Sequence, residues 1–326
     1  MRRREAITLF GGAAAALCAA VTAAGAEERI KRIAILGPAE EPRFSEIAAG
    51  LKLGLRDHGY AGAALDLIEG KVTRGDISGA RAHVEEAMRQ GAAVLFVIGS
   101  ELARVARKMS SDLPIVFITP GDPVAAGLVT SLAHPGGNTT AMTFEFPALS
   151  AKRLEFLKEL APRTRSVLVL YDPRDASTRQ GLAAAREAAA KLGMTLLERE
   201  TRSVADVSRG LEALGEADAL LVIPGGVPTG HYPEIIRAAN AKRLPTIFHT
   251  RSGGAAEALA SYGASDVNIA REAARLVDKI LKGQKAGNLP VERPTKLQFF
   301  INLRTANALG ITIPSSILVR ADEVIE

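Results

Sequence analysis

Short runs of apolar residues alternate with longer amphipathic stretches along most of the chain. Because the runs are apolar throughout rather than interspersed with polar residues, they predict strands that are covered on both faces. Repeated alternation of such strands with helices predicts right-handed crossovers and a parallel sheet. The predicted strands lie at 33–36, 65–68, 94–98, 115–118, 167–170, 195–197, 219–223 and 246–248.

The amphipathic stretches between these runs carry residues typical of helix termini. Ser177 precedes one stretch, which ends before Gly193, and Asp266 precedes another, which ends before Gly283. A polar cap, apolar positions three or four residues apart and a terminal glycine together predict a helix. Strand–helix alternation occurs twice along the chain, so the predicted fold class is α/β, with two similar doubly wound parallel-sheet lobes.

The segment HPGGNTTAMTFEF, at 134–146, separates the two halves of this pattern. Turn residues followed by a β-compatible run predict a linker that leaves the first lobe for the second. Two more crossings are expected, near 259–263 and near 290–294, and three crossings predict a hinged pair of lobes with a cleft. The predicted N-terminal lobe comprises 30–140 plus 265–290, and the predicted C-terminal lobe comprises 141–264 plus 291–326.

The first 26 residues have the build of an export signal. A basic start with Arg3-Arg4 is followed by an apolar tract and by Ala24-Gly25-Ala26, a small-x-small cleavage pattern. A membrane anchor is the alternative, but the tract is weakly hydrophobic and shorter than the ~20 residues that a span needs. We therefore expect a cleaved signal at 1–26 and a periplasmic location, with the twin-arginine route left open.

Removal of this signal changes the composition of the chain. The chain of 326 residues carries a net charge of +5, and without 1–26 it retains 38 basic and 35 acidic residues. A mild excess that is mixed along the chain does not indicate a nucleic-acid surface. The single cysteine, Cys18, lies within the signal, so the mature chain has no disulfide. About 300 residues favour two lobes over one core.

The sequence lacks the local signatures of catalytic, cofactor and metal sites. Gly225-Gly226 begins a glycine-rich loop, but its spacing fits neither a dinucleotide fingerprint nor a phosphate-binding loop. The five histidines lack metal-ligand spacing, and the residues around Ser100 lack the second glycine of a nucleophile elbow. We therefore expect no cofactor and no metal. A Ser/His/Asp trio whose members are distant in the sequence and meet only in the fold is left open as an alternative.

Polar residues are concentrated where the predicted strands end, including His249-Thr250. Parallel sheets bind ligands at the carboxyl ends of their strands. There a helix N-terminus can hold a carboxylate, and an isolated acid can hold an ammonium group. This combination suits a zwitterion such as an amino acid. The candidate ligand-binding residues are Gly99, Ser100, Thr119, Asp122, Asp172, Ser177, Gly225 and Tyr262.

Four of these residues have structural alternatives. Asp122, which precedes a proline, fits a cap of the following turn, and Asp172-Pro173 fits a turn opener. Ser177 fits a helix cap, and Tyr262 fits ordinary core packing as well as a stacking wall.

Several segments resemble the ABC-transporter substrate-binding family that includes tryptophan- and tyrosine-binding proteins. The segments are PIVFITPGDPVAAGLVTSLAHPGGNTTAMTF, KRLEFLKELAP and ILKGQKAGNLPVERPTKLQFFINLRTANALGITIPSSILVRADEVIE. The resemblance covers nearly the whole chain. It implies a periplasmic-binding-protein fold of type I, with two α/β lobes, three hinge crossings and a solute held between the lobes. It also implies no catalysis and a membrane permease with its ATPase as partners.

The resemblance also ranks the candidate residues. Its GDP block maps onto Gly121, Asp122 and Pro123, which makes Asp122 the strongest candidate for solute contact. The first strand of the second lobe ends in Asp172-Pro173, where relatives often have Asn-Pro. With no tryptophan and four tyrosines in the chain, few residues could form an aromatic cage, and tryptophan is not carried over as the solute.

The leading hypothesis is a monomeric periplasmic receptor for a small polar solute, an amino acid or a related molecule, that serves an ABC permease and its ATPase. An exported enzyme on the same scaffold is one alternative, because a fold does not determine function. A ligand sensor that docks to a signalling partner is another. No partner nucleic acid and no membrane insertion of the mature chain are expected.

Overall fold

The computed structural model describes residues 31–39, 43–60, 62, 65–73, 75–145, 147–251 and 255–326. The predicted export signal, 1–26, lies outside these ranges. Within them the chain forms two β-sheets with helices on their faces, which confirms the predicted α/β class with two lobes. None of the helices in the described part is both long and apolar enough to cross a membrane.

The first five strands along the chain form the first sheet, and the last seven form the second sheet. They are β1 (Lys31–Pro38), β2 (Leu65–Val72), β3 (Val94–Ile98), β4 (Ile115–Pro120), β5 (Thr139–Glu145), β6 (Ser166–Tyr171), β7 (Thr195–Glu200), β8 (Ala219–Val222), β9 (Thr246–Phe248), β10 (Ala260–Gly263), β11 (Gln298–Asn302) and β12 (Glu323–Ile325). All predicted strands are present, and most of their apolar runs are buried between two layers, whereas those of β2 and β7 are only partly buried.

Helices connect most of these strands. They are α1 (Arg43–Asp57), α2 (Ile77–Arg89), α3 (Ser100–Met109), α4 (Pro147–Leu160), α5 (Ala176–Leu192), α6 (Val204–Leu211), α7 (Gly226–Thr229), α8 (Tyr232–Ala241), α9 (Asp266–Leu281), α10 (Leu303–Leu309) and α11 (Ser315–Leu318). Short 3-10 turns lie at Glu212–Glu216, Ala255–Glu257 and Ala286–Asn288.

The first sheet has the strand order β2-β1-β3-β4-β5, and its paired strands are parallel. The second sheet has the order β12-β11-β10-β9-β8-β6-β7, in which β10 and β11 form the antiparallel pair. In both sheets the parallel strands therefore end along one edge, as expected for sites built at strand ends.

Helices α1 and α9 cover one face of the first sheet and pack closely against each other. Gly50 allows this approach, because a Cβ atom built there would lie 2.3 Å from the carbonyl oxygen of Val267. The contact places the first turn of α1 beside the first turn of α9, although these segments are more than 200 residues apart in the chain.

The chain passes between the sheets three times, as the sequence predicted. The passages lie between β5 and α4, between β10 and α9, and between the 3-10 turn at Ala286–Asn288 and β11. On the last passage Glu292 pairs with β5, where its N–H donates to the carbonyl of Ala141 at 2.9 Å and its carbonyl accepts from Thr143 at 3.0 Å.

One predicted boundary differs from the structure. The segment expected to be a linker beyond residue 140 is strand β5, which pairs with β4 in the first sheet from Thr139 onward. The first sheet therefore extends to Glu145. The turn residues before this β-compatible run suggested a connection, but Met142 and Phe144 belong to the core beneath α1 and α9.

Candidate ligand-binding site

Three of the predicted residues lie together at the ends of β3 and β4. The hydroxyl groups of Ser100 and Thr119 are hydrogen-bonded to each other, and Thr119 is buried. Gly99 precedes Ser100 with φ at 101°, and its N–H donates to the carbonyl of Ile118 at 2.8 Å. The pairing of β3 with β4 brings these residues together, as the strand-end argument predicted.

Asp122 lies on the exposed elbow after β4. Its Oδ1 accepts hydrogen bonds from the N–H groups of Val124 at 2.8 Å and Ala125 at 3.3 Å. This is the turn-capping arrangement that the sequence offered as the alternative. Contact between Asp122 and a solute stays a prediction.

Asp172 is a buried carboxylate that already has partners. It accepts from the backbone and guanidinium of Arg174, at 2.6 to 3.0 Å, and from the N–H of Val227 at 3.3 Å. Burial raises the pKa of Asp172, but the hydrogen bonds from Arg174 and Val227 outweigh it and bring the pKa below its usual value. The side chain therefore joins the turn after β6 to the loop after β8.

The pKa of Arg174, the partner of Asp172, is raised above its usual value. Hydrogen bonding to Asp172 is the main cause that raises the pKa of Arg174, and the negative charge of Glu101 in α3 adds to it.

The prediction that Ser177 caps a helix is wrong. Helix α5 begins at Ala176, and Asp175 is its N-cap. The Oδ1 of Asp175 accepts from both the N–H of Ser177, at 2.9 Å, and its hydroxyl, at 2.7 Å. A carboxylate placed just before the helix competes better for the free N–H groups than a hydroxyl inside its first turn. Ser177 instead lies directly against Gly121 of the first lobe.

Gly225 and Tyr262 serve packing in the second lobe. The N–H of Gly225 donates to Thr229 Oγ1 at 2.9 Å, and φ at this glycine is 121°. The ring of Tyr262 packs edge-on against Phe156, with centroids 4.9 Å apart, and against Phe299 at 6.0 Å. Tyr262 therefore packs against core residues, which is the structural alternative given above.

A cavity of about 500 Å³ lies between the two lobes, and we call it the interlobe cavity. Glu46 of α1 and the first turn of α9 line it from the first-lobe side, and the loop after β9 with strands β10 to β12 lines it from the second. The predicted candidate residues do not line it, although the strand end at His249-Thr250 does. Its lining residues are Glu46, His249, Thr250, Arg251, Ala256, Ser261, Gly263, Ala264, Ser265, Val267, Asn268, Gln298, Phe300, Glu323 and Ile325.

Two polar atoms in this cavity have no hydrogen-bond partner within the described part of the chain. They are the buried Oε2 of Glu46 and the buried Oγ of Ser261, a residue that is 3% exposed. Native proteins leave few buried polar atoms unpaired, so each such atom suggests a missing partner. Arg251 and Glu323, which also line the cavity, form an ion pair at 2.6 Å.

His249 forms a neutral wall of the cavity. Its Nδ1 lies 2.9 Å from the hydroxyl of Tyr232, and its ring is stacked on Phe144 of the first lobe with centroids 6.4 Å apart. Burial holds the pKa of His249 well below its usual value, and the positive charges of Arg153 and Arg43 lower it further. The imidazole is therefore uncharged near neutral pH.

Sequence reasoning missed Glu46 and Ser261 for different reasons. Glu46 lies on an amphipathic helix, where an acid normally faces solvent. Ser261 lies inside a strand, where the only signal was a polar residue in a run that ends in the crossing near 263. The rule that ligands bind at strand ends applies to neither position.

Among the described residues no group of three or more His, Cys, Asp or Glu side chains could hold a metal ion.

Comparison with known proteins is consistent with this architecture. A Tyrosine-binding protein from Clostridioides difficile (strain R20291) is 25% identical over 282 residues, which cover 86% of this chain and 81% of that protein. A conserved domain protein from Vibrio cholerae is 29% identical, with a TM-score of 0.81 over 91% of this chain and 100% of that one.

Two further similar structures differ from each other in whether a ligand is bound. A ligand-free, open substrate-binding protein from Clostridium difficile is 25% identical, with a TM-score of 0.68 over 91% of this chain and 99% of that one. An ABC domain from Streptococcus pneumonia in complex with L-Trp is 24% identical, with a TM-score of 0.81 over 90% of this chain and 99% of that one.

The family comparison covers almost everything that follows the predicted signal. The model of the family described as ABC transporter substrate binding protein matches residues 32–325. The match includes both sheets, the three passages between them and the lining of the interlobe cavity. The chain therefore belongs to the substrate-binding protein family of ABC transporters.

Proposed function

We propose that this protein is a periplasmic receptor that captures an amino acid, or a related small polar molecule, in the interlobe cavity and delivers it to an ABC permease with its ATPase. The observation that carries the proposal is the cavity itself. It lies between the lobes, is lined by both, and contains two buried polar atoms without partners.

The size and lining of the cavity support a small solute. Small-molecule sites are concave, roughly 300–1,000 Å³ in volume, and combine apolar walls with a few placed polar groups. This cavity has about 500 Å³, with Phe300 and Val267 among its apolar lining and Glu46 and Ser261 among its polar lining. Relatives whose ligands are tyrosine and L-Trp support an amino acid as the solute class.

The arrangement of the lobes supports capture by closure. Gly121 touches Ser177 across the cleft, and Arg174 lies within the field of Glu101. The higher TM-score with the L-Trp complex than with the open, ligand-free structure agrees with lobes that are close together. A solute that contacts both lobes stabilises this closed arrangement over an open one, which is a hinge motion driven by differential affinity.

Binding without chemistry is the simplest use of these groups. Ser100 and Thr119, the hydroxyls at the strand ends, bond to each other, and the carboxylate of Asp172 is held by Arg174. A receptor needs such groups only for shape and for hydrogen bonding.

A thermal-shift screen of the purified protein against the common amino acids, followed by calorimetry, tests the solute class. A solute present at 100 times its Kd stabilises the folded state by about 2.7 kcal/mol, which raises the Tm by several degrees. Sugars and dicarboxylic acids of similar size are the controls. If no amino acid shifts the Tm at millimolar concentration, or if mass spectrometry finds the bound solute chemically changed, the proposal is wrong.

The proposed location has a separate test. Expression in a Gram-negative host, followed by fractionation, should place the protein in the periplasmic fraction. N-terminal sequencing should then begin at Glu27, after the predicted cleavage site at Ala26. Recovery from the membrane with the basic residues Arg2–Arg4 still attached would instead indicate an anchor.

A further inference from the structure

The interlobe cavity has a charge imbalance that constrains its solute. Besides His249, three acidic or basic side chains line it in the described part of the chain: Glu46, Arg251 and Glu323. Arg251 and Glu323 neutralise each other as an ion pair at 2.6 Å. His249 is uncharged because burial lowers its pKa. The remaining charge is the carboxylate of Glu46.

The position of Glu46 is set by helix packing. It lies in the first turn of α1, one turn before Gly50, whose close contact with the backbone of Val267 holds α1 against α9. Val267 and Glu46 line the cavity together. Arg43, in the same turn, donates to the buried carboxylate of Asp266 at 3.1 and 3.3 Å, so its charge is matched by Asp266.

A solvent-shielded carboxylate oxygen without a donor is costly. Burial of a charged group costs several kcal/mol unless hydrogen bonds and an opposite charge compensate it. An ammonium group offers three N–H donors and one positive charge, and hydrogen bonds between ionised partners are about twice as strong as neutral ones. The unpaired hydroxyl of Ser261, which lines the same cavity, is a second free acceptor.

We propose that the interlobe cavity recognises its solute by a primary ammonium group, which donates hydrogen bonds to Glu46 and Ser261. This inference rests on the proposed function and goes further, because it names the chemical group that the cavity selects and the residues that bind it. Amino acids with a free α-amino group satisfy it. Their N-acetylated forms do not, since acetylation removes the charge and two of the three donors.

Calorimetry with the wild-type protein and three variants tests the proposal. The probes are the common L-amino acids that bind the wild type, each compared with its N-acetyl form. Acetylation should weaken binding at least roughly 100-fold, Glu46→Gln roughly 100-fold, and Ser261→Ala roughly 10-fold, as expected for charged and neutral hydrogen bonds. Glu234→Gln is the matched control, because Glu234 is also a first-turn acid, on α8, and does not line the cavity. It should bind like the wild type.

The Tm without solute separates recognition from a structural role. Because the Oε2 of Glu46 has no partner, Glu46→Gln should leave the Tm of the empty protein unchanged or raise it while binding is lost. A variant that loses both binding and stability would show that Glu46 acts structurally, and it would overturn the proposal.

Two further results separate this inference from the proposed function. If N-acetyl amino acids bind as tightly as the parent compounds, ammonium recognition is wrong while the amino-acid receptor stands. If the wild type binds only sugars or organic acids, ammonium recognition and the amino-acid class both fail, and a receptor for another solute remains.

Discussion

Gly121 in the first lobe packs against Ser177 in the second so closely that a side chain at position 121 has no room. A Cβ atom built on Gly121 would lie 1.9 Å from Ser177 Cβ and 2.9 Å from Ser177 Cα. The backbone of Gly121 has φ at 81°, a conformation that favours glycine. The elbow after β4 and the start of α5 therefore meet only because residue 121 has no side chain.

Gly121→Ala should force the two lobes apart. The added methyl group meets the backbone and the Cβ atom of Ser177, neither of which can move without shifting α5. We expect a larger radius of gyration in small-angle scattering with solute present and a weaker solute affinity by calorimetry, because the closed arrangement becomes less favourable.

Gly127→Ala is the matched control for this variant. Gly127 follows on the same loop with φ at 68°, but a Cβ atom there would have no neighbour within 4 Å. Both variants should lose about 1–2 kcal/mol of stability from the left-handed backbone. Only Gly121→Ala should change the scattering profile, and equal profiles would show that the contact does not control closure.

Two substitutions of Asp122 distinguish its role as a turn cap from a role in solute binding. Asp122→Ala removes the acceptor for the N–H groups of Val124 and Ala125 and should cost about 1 kcal/mol in urea unfolding. Asp122→Asn keeps an acceptor oxygen and should preserve most of that stability. If Asp122→Asn nevertheless weakens solute binding in calorimetry, the charge contacts the solute, and unchanged affinity would remove Asp122 from the site.

Asp172 should stabilise the second lobe in a pH-dependent manner. Its pKa in the folded protein lies below the usual value of 3.8, so its contribution is complete above that pH and is lost as the pH falls through the lower folded pKa. Asp172→Asn should cost about 1–3 kcal/mol at pH 7, because Arg174 loses an ionised partner. In urea unfolding the difference from wild type should shrink as the pH is lowered below 3.8, and a constant difference would contradict an ionic role.

Tyr60 should resist ionisation. Burial and then the hydrogen bond to Asp278, at 3.0 Å, raise the pKa of Tyr60 to about 12. Since the folded pKa is raised above 10.0, its stabilising contribution is complete below pH 10 and is lost as the pH approaches 12. Difference absorbance of tyrosinate between wild type and Tyr60→Phe should place this titration near pH 12. Titration near pH 10 would contradict a bond to Asp278 in solution.

The stability of Tyr60→Phe gives a second check on the pH dependence of the contribution that Tyr60 makes to stability. Near pH 7 the variant should lose about 1 kcal/mol in urea unfolding, the usual value of one hydrogen bond. The loss should disappear as the pH rises from 10 towards 12, where the wild-type phenol itself ionises.

Local sequence patterns predicted most elements of the fold but not the extent of the first sheet. Continuous apolar runs identify buried strands because both faces are covered, whichever lobe covers them. The edge strand β5 was interpreted as part of a linker, since its β-compatible run follows a cluster of turn residues, and only pairing with β4 places it in the first sheet. Strand β12, with three residues from Glu323 to Ile325, carries no pattern long enough to detect.

The sequence likewise predicted some features of the candidate site correctly and others incorrectly. Strand-end reasoning correctly brought Ser100 and Thr119 together, because neighbouring parallel strands end at one edge. It could not show that Asp175, rather than Ser177, caps α5, since both residue types favour that position. It also assigned a free acid at Asp172, whereas Arg174 binds that carboxylate two residues later in the turn.

The sequence by itself determined the two α/β lobes, the alternation that makes their sheets mainly parallel, and the three passages between them, because these follow from local periodicity and chain connectivity. Only the tertiary structure decided which polar groups are left without partners. Glu46 and Ser261 are more than 200 residues apart, and they share one cavity because α1 packs on α9 above the strands of the second lobe. Whether a buried polar atom is paired depends on neighbours that are distant in the chain, and no local pattern carries that information.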